Sequence, residues 1–138
     1  MNLEYTETIK PRVSDINYGG HVGHVELMNL MHEIRVRFLK KYSLKETDID
    51  GHVLVMRSIN TTYFNQAFWD DELKITMKTK VDGVKIIFNY LIFNSTLDNK
   101  TAEAEAVMVL LDEKQEKPVR PNEFIRILSD DNNAGKHT

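Results

Sequence analysis

Cysteine is absent from these 138 residues. That gap removes disulfides, thiolate metal sites and a cysteine nucleophile together. Long apolar runs are missing too: nothing approaches the ~20 residues that a membrane span needs. The start, Met1 to Lys10, is polar and alternating and holds no signal-peptide core. There is no excess of positive charge, since 18 Lys and Arg against 21 Asp and Glu leave a net charge of -3. Nucleic-acid binders carry a basic footprint, which this chain lacks. The expectation is a soluble, cytoplasmic chain with no nucleic-acid partner and no membrane span. Its length suits one domain that buries a core without staples.

What is present divides into two patterns. Leu3, Tyr5, Thr8 and Ile9 form a short extended stretch that ends at Pro11. From about His21 to Tyr42 the apolar residues Leu27, Met31, Ile34 and Phe38 recur at helical spacing. Met28, Leu30 and Leu39 widen that stripe, so the helix is expected to be wrapped by other structure. Arg35, Arg37, Lys40, Lys41 and Lys45 lie along the end of this helix and its exit. They read as a solvated helix face suited to the helix dipole, or else as a site for an anion such as the phosphates of CoA.

After a polar connection from Ser43 to Gly51 the remainder reads as strands. Val53 to Phe64 is rich in β-branched and aromatic residues, Leu73 to Val81 alternates, and Asp82-Gly83 marks a hairpin into Val84 to Phe93. Leu97 to Lys100 turns into a strand over Thr101 to Leu111, where Ala102, Ala104 and Ala106 line one face. Small residues there let a helix approach a sheet closely. Pro118 and Pro121 end the sheet, Phe124 to Leu128 reads as a short helix, and residues 129–138 read as a disordered tail. A strand, a long helix and four strands in a meander make an α+β fold with an antiparallel sheet, in a single domain over residues 1–128.

The chemistry points to Asp15-Ile-Asn-Tyr-Gly-Gly-His-Val22, directly before the helix. A glycine turn running into a helix presents unpaired N–H groups with the positive end of the dipole behind them. Such an end holds a phosphate, or the oxyanion formed when a thioester carbonyl is attacked. Gly19 and Gly20 permit close approach of a substrate to the backbone, and many such pairs are merely turns. His21 is expected in the first turn of the helix.

This segment resembles the 4-hydroxybenzoyl-CoA thioesterase branch of the hot-dog-fold thioesterases, which carry an Asp-x-Asp-x-x-Gly-His-Val-like loop before their central helix. Glu33-Ile-Arg35-Val-Arg-Phe-Leu39, Phe64-Asn-Gln-Ala67 with Asp70 and Asp71, and Lys117-Pro118-Val-Arg-Pro121 resemble later family segments in the same order. The likeness covers roughly residues 5–128. It implies a five-stranded antiparallel sheet around a long central helix and a homodimer or dimer-of-dimers tetramer with its site at the subunit interface. It further implies an acyl-CoA or acyl-carrier-protein substrate, with no metal and no cofactor. By resemblance, amides around Gly20 to Val22 polarise the thioester carbonyl. Tyr18, Gly19, Gly20 and Val22 line the substrate with Thr61 and Thr62, which sit in the strand that lines the acyl site.

One departure stands out. The position of the family's catalytic Asp is Asn17 here, and an amide can only hydrogen-bond where a carboxylate can act as nucleophile or base. Asn17 is then left to orient a water or the thioester, with His21 as base at neutral pH. Glu33 falls about 18 Å from His21 along a helix and reads as the partner of a basic neighbour. Glu26 falls about 140° around the helix from His21 and reads as a backup base. Asp15 reads as a brace or cap for the loop. His21 and His24, three apart, have a spacing compatible with two metal ligands but suggest no third. His32 and His52 read as solvent or packing histidines, and Phe68 and Trp69 as interface or core aromatics.

Three functions fit: thioester hydrolysis, a non-catalytic acyl-CoA-binding module of the same fold, and a hot-dog dehydratase or hydratase. The last matches least, because His21 with Glu26 is a poor copy of that branch's His and acid on one helix.

Overall fold

The computed structural model describes residues 3–112, 114 and 116–136. Its elements are β1 (Leu3–Ile9), a 3-10 turn (Val13–Asp15), α1 (His24–Lys41), β2 (Val53–Tyr63), β3 (Leu73–Asp82), β4 (Lys85–Asn94), β5 (Asn99–Leu111), β6 (Pro118–Val119) and α2 (Asn122–Lys136). The chain is α+β, and every strand pairing is antiparallel. The sheet has six strands rather than the expected five, because Val119 and Pro118 pair with Leu110 and Leu111. Nor are the last strands a simple meander. Their order is β1-β3-β4-β5-β2, so only β3, β4 and β5 follow one another while β1 and β2 take the two edges.

The β3–β4 hairpin forms where Asp82-Gly83 predicts it. Asp82 faces Lys85 across two loop residues, and Gly83 takes a φ of 63° that glycine adopts at no steric cost. The alanine face of β5 is also as expected: Ala102, Ala104 and Ala106 are buried while Glu103 and Glu105 between them are exposed. Period-2 alternation thus decides which side of the sheet is core.

α1 buries Leu27, Leu30, Met31, Ile34, Phe38 and Leu39. Phe38, Phe88 of β4 and Phe124 of α2 meet edge to face, with ring centroids 6.5 and 6.3 Å apart, and join both helices to the sheet. The opposite side of α1 is open, with Val25 53% and Val36 42% exposed, so the chain's own sheet covers the helix on one side and does not wrap it. The helix stops at Lys41. Ser43 adopts a φ of 60°, its amide donates to the Lys40 carbonyl, and that of Leu44 donates back to the Leu39 carbonyl, the bonding of a Schellman end.

At the other terminus the expected tail is instead helix as far as Lys136; the last two residues lie outside the described set. The apolar triplet Phe124, Ile127 and Leu128 anchors α2 on the core, and Arg126 pairs with Glu123 one way and with Asp130 the other. These i,i+3 and i,i+4 pairs carry the helix past its apolar part. Among the described residues, no helix is long and apolar enough to cross a membrane.

Candidate active site

The loop before α1 is a small hairpin, not the start of the helix. Ile16 and Val22 form a bridge, and the Asn17 amide donates to the His21 carbonyl at 2.9 Å. Between them the Gly20 amide donates to the Asn17 carbonyl at 3.0 Å, with Gly20 at a φ of +83°, a conformation side-chain-bearing residues rarely adopt. The Asn17 side chain tightens the turn further, its Oδ1 accepting the Gly19 N–H at 2.9 Å. α1 begins only at His24, with Gly23 as N-cap. His21 therefore sits in the hairpin, three residues before the position expected for it.

Two neighbouring segments hold this hairpin. The Val22 amide donates to the Ala67 carbonyl at 2.8 Å, and the Asp70 amide donates to the Pro11 carbonyl at 3.2 Å. The loop containing Ala67 is shaped in turn by buried Asp71, whose Oδ2 accepts the Phe68 amide at 2.9 Å and the Asn94 side-chain amide at 2.8 Å. Asp15 acts as the expected brace, its carboxylate accepting the Arg12 amide at 2.8 Å.

The amides of Gly19, Gly20 and Val22 are all taken by the protein itself. The His21 and Gly23 amides have no partner among the described residues, and neither do those of the first turn of α1, at His24, Val25 and Glu26, which Gly23 has no side chain to cap. The first-turn amides carry the positive end of the dipole of an 18-residue helix.

Three side chains gather in front of that turn. A methyl group on Gly19 would lie 3.2 Å from the Asn17 Oδ1 and 3.3 Å from the His21 Nε2, so both atoms flank the same hollow. One on Gly23 would lie 2.5 Å from the Glu26 Oε2 and 3.5 Å from the Asn17 Nδ2. Asn17 therefore stands between His21 and Glu26, all three half-buried, while Tyr18 projects fully into solvent at the tip of the turn. The His21 Nδ1 faces the Val22 carbonyl at 3.3 Å. With the proton on Nδ1 to make that bond, Nε2 is left as a lone-pair acceptor. Glu26 was placed around the helix from His21 by a wheel that does not apply, since His21 lies outside the helix.

Thr61 and Thr62 part company. Successive strand residues point to opposite faces, and the Tyr63 hydroxyl, on the face of Thr61, donates to the His24 carbonyl at 3.4 Å. Thr62 lines a groove of about 640 Å³ on the other side of the sheet with Asn60, Lys78, Asn89 and Glu103. That groove contains none of Asn17, His21 and Glu26; the site within one chain is an open lip. His24 packs its ring against Tyr63, centroids 6.3 Å apart, and does not share a helix face with His21. Phe68 and Trp69 are 41% and 59% exposed beside the hairpin's support and are not core.

Two members of the basic cluster, Arg35 and Arg37, are held in ion pairs. Arg35 is buried and donates to Glu46 at 2.9 Å and to the Tyr90 hydroxyl at 3.0 Å, so the solvated-face reading fails for it. His32 meets the other Glu46 oxygen at 2.6 Å. Burial opposes ionisation of Glu46, but its hydrogen bonds from His32 and Arg35 and their charge outweigh that and hold its pKa below the ordinary value. Arg37 pairs with Glu7 at 2.9 Å and with Glu33 at 3.2 Å, which gives Glu33 the basic neighbour expected of it.

The model of the thioesterase-like superfamily matches residues 11–127. The chain belongs to that superfamily. Its fold is that of hot-dog thioesterases, at low sequence identity. The 1,4-dihydroxy-2-naphthoyl-CoA thioesterase Slr0204 from Synechocystis superposes with a TM-score of 0.83 at 16% identity, over 92% of this chain and 96% of that one. The DHNA-CoA thioesterase from Staphylococcus aureus gives 0.77 at 15%, covering 95% of each chain. The probable thioesterase YbaW from Escherichia coli gives 0.70 at 22%, over 83% and 87%. No curated protein matches the chain in sequence. Among the described residues of this thioesterase-family chain, no three His, Asp or Glu side chains gather as a metal site.

Proposed function

We propose that the chain hydrolyses acyl thioesters carried on CoA or on an acyl carrier protein. The observation behind this reading is the meeting of Asn17, His21 and Glu26 in front of the unpaired first-turn amides of α1. Water attacks the carbonyl carbon, and the oxygen that gains charge is received by those amides, which need no reorganisation at that moment. The C–S bond then breaks, leaving a carboxylic acid on one side and a thiol on the other. Two proton acceptors flank Asn17, so a base is at hand for the water. No metal or organic cofactor enters this scheme.

An open lip does not enclose an acyl chain, and a second subunit would close it. The edge of β2 away from β5 has no strand against it among the described residues over Val53–Tyr63. Such an edge is a template for pairing. Two copies joined edge to edge through β2 would bring the partner's strand end toward Tyr63 and the helix start, as a homodimer or within a tetramer. The competing reading, acyl-thioester binding without turnover, draws on the amide at Asn17 in place of a carboxylate.

A thiol-release assay over aliphatic and aromatic acyl-CoAs separates the two. Hydrolysis predicts release well above background, and His21→Ala should lower kcat/KM at least about tenfold, or ~1.4 kcal/mol of transition-state binding. Tight binding with no release would instead establish the binding module, and an unchanged kcat/KM would remove His21 from the site.

A further inference from the structure

We infer that Glu26 is the general base of this site, supplying the carboxylate that Asn17 lacks; this rests on the hydrolytic reading above. The Gly19 N–H fixes which end of the Asn17 amide is oxygen, because only Oδ1 can accept it. Nδ2, a donor, therefore points the other way, toward Gly23. On that side the Glu26 carboxylate folds back over Gly23, into space that exists only because residue 23 has no side chain.

A glutamate in the first turn ordinarily has a simpler task, bonding the N-cap amide or a nearby cation. Glu26 does neither: among the described residues it makes no hydrogen bond and no ion pair, though it is half-buried. An unpaired acceptor and an unpaired donor share one hollow. A water there accepts from Asn17 Nδ2 and donates to Glu26 Oε2, which leaves its second lone pair free for a carbonyl carbon. As the O–C bond forms, Glu26 takes the water's proton; the C–S bond then breaks, its electron pair leaves on sulfur, and the proton passes to the thiolate. His21, across Asn17, keeps a lone pair on Nε2 that suits an amide N–H of the pantetheine arm common to CoA and acyl carrier protein. His21 thereby becomes a binding residue.

The two assignments predict different kinetics. Glu26→Gln should lower kcat about a hundredfold with KM within about twofold, and should remove the acid-side ionisation from the pH profile of kcat. His21→Ala should act mainly through KM and keep that ionisation. Gly23→Ala is the control for shape: a φ of -72° accepts alanine, while its methyl group displaces the carboxylate and should cost at least about tenfold in kcat. Both variants should melt near the wild type. A wild type that releases thiol while Glu26→Gln and Gly23→Ala match its kcat overturns Glu26 alone. A wild type that releases none from any acyl-CoA or acyl carrier protein overturns hydrolysis and this base with it.

Discussion

Asn17→Ala is expected to lower kcat/KM roughly a hundredfold, because it removes two functions at once. Oδ1 holds the Gly19 amide and so the shape of the turn, while Nδ2 faces the Glu26 carboxylate. Asn17→Asp separates them. An aspartate keeps an acceptor for Gly19, so the hairpin stays folded, but it sets a second negative charge beside Glu26. Like charges that share a site cannot both ionise easily, and one is protonated at higher pH. The variant should therefore lose activity at neutral pH and show the rise of its kcat profile displaced to higher pH. Rates of Asn17→Asp equal to or above those of wild type across the pH range would mean that Asn17 only stands in for a lost acid.

The second large effect concerns stability. Glu46→Ala leaves the Arg35 guanidinium, whose side chain is 6% exposed, with Tyr90 as its one remaining hydrogen-bond partner among the described residues. Leaving a buried charge without its counter-ion costs about 3 kcal/mol, or roughly 10 °C in Tm for a chain of this size. Arg35→Met added to Glu46→Leu should recover much of the loss, since the cost lies in the stranded charge rather than in the missing bond. Acid carries the same signature. The folded pKa of Glu46 is depressed, so its contribution is complete above the unfolded carboxylate value, near 4.3, and fades as pH falls through the folded value. Wild type and Glu46→Ala should accordingly converge in stability at low pH. A constant difference across the acid range would rule this out.

Whatever depended on short-range pattern was legible in the sequence. The Asp82-Gly83 hairpin, the alanine face of β5 and the buried stripe of α1 all follow from neighbouring residues. That Asn17 and His21 share one turn was likewise readable from their spacing around the glycine pair. What escaped depends on chain segments far apart, or on where an element begins. Arg35 has the sequence position of a solvated helix residue and is buried by Glu46 and Tyr90, 11 and 55 residues on. Glu26 was set apart from His21 because the helix was started three residues early. Gly23 followed by Glu26 has the spacing of an N-cap and its third helical residue, a signal present in the sequence but weak without a serine or threonine. The length of α2 was hidden because an apolar stripe gives way there to charge pairs.

The Val22–Ala67 hydrogen bond has a consequence for how this protein would fail. The hairpin that carries Asn17 and His21 contains a single bridge of its own and borrows its rigidity from a loop whose form hangs on Asp71, just before β3, and Asn94, at the end of β4. Segments held by so few bonds open at lower free energy than the sheet behind them. Gentle warming or dilute urea should thus abolish turnover while the far-ultraviolet signal of the strands is intact, and Asn94→Ala should widen the interval between the two losses.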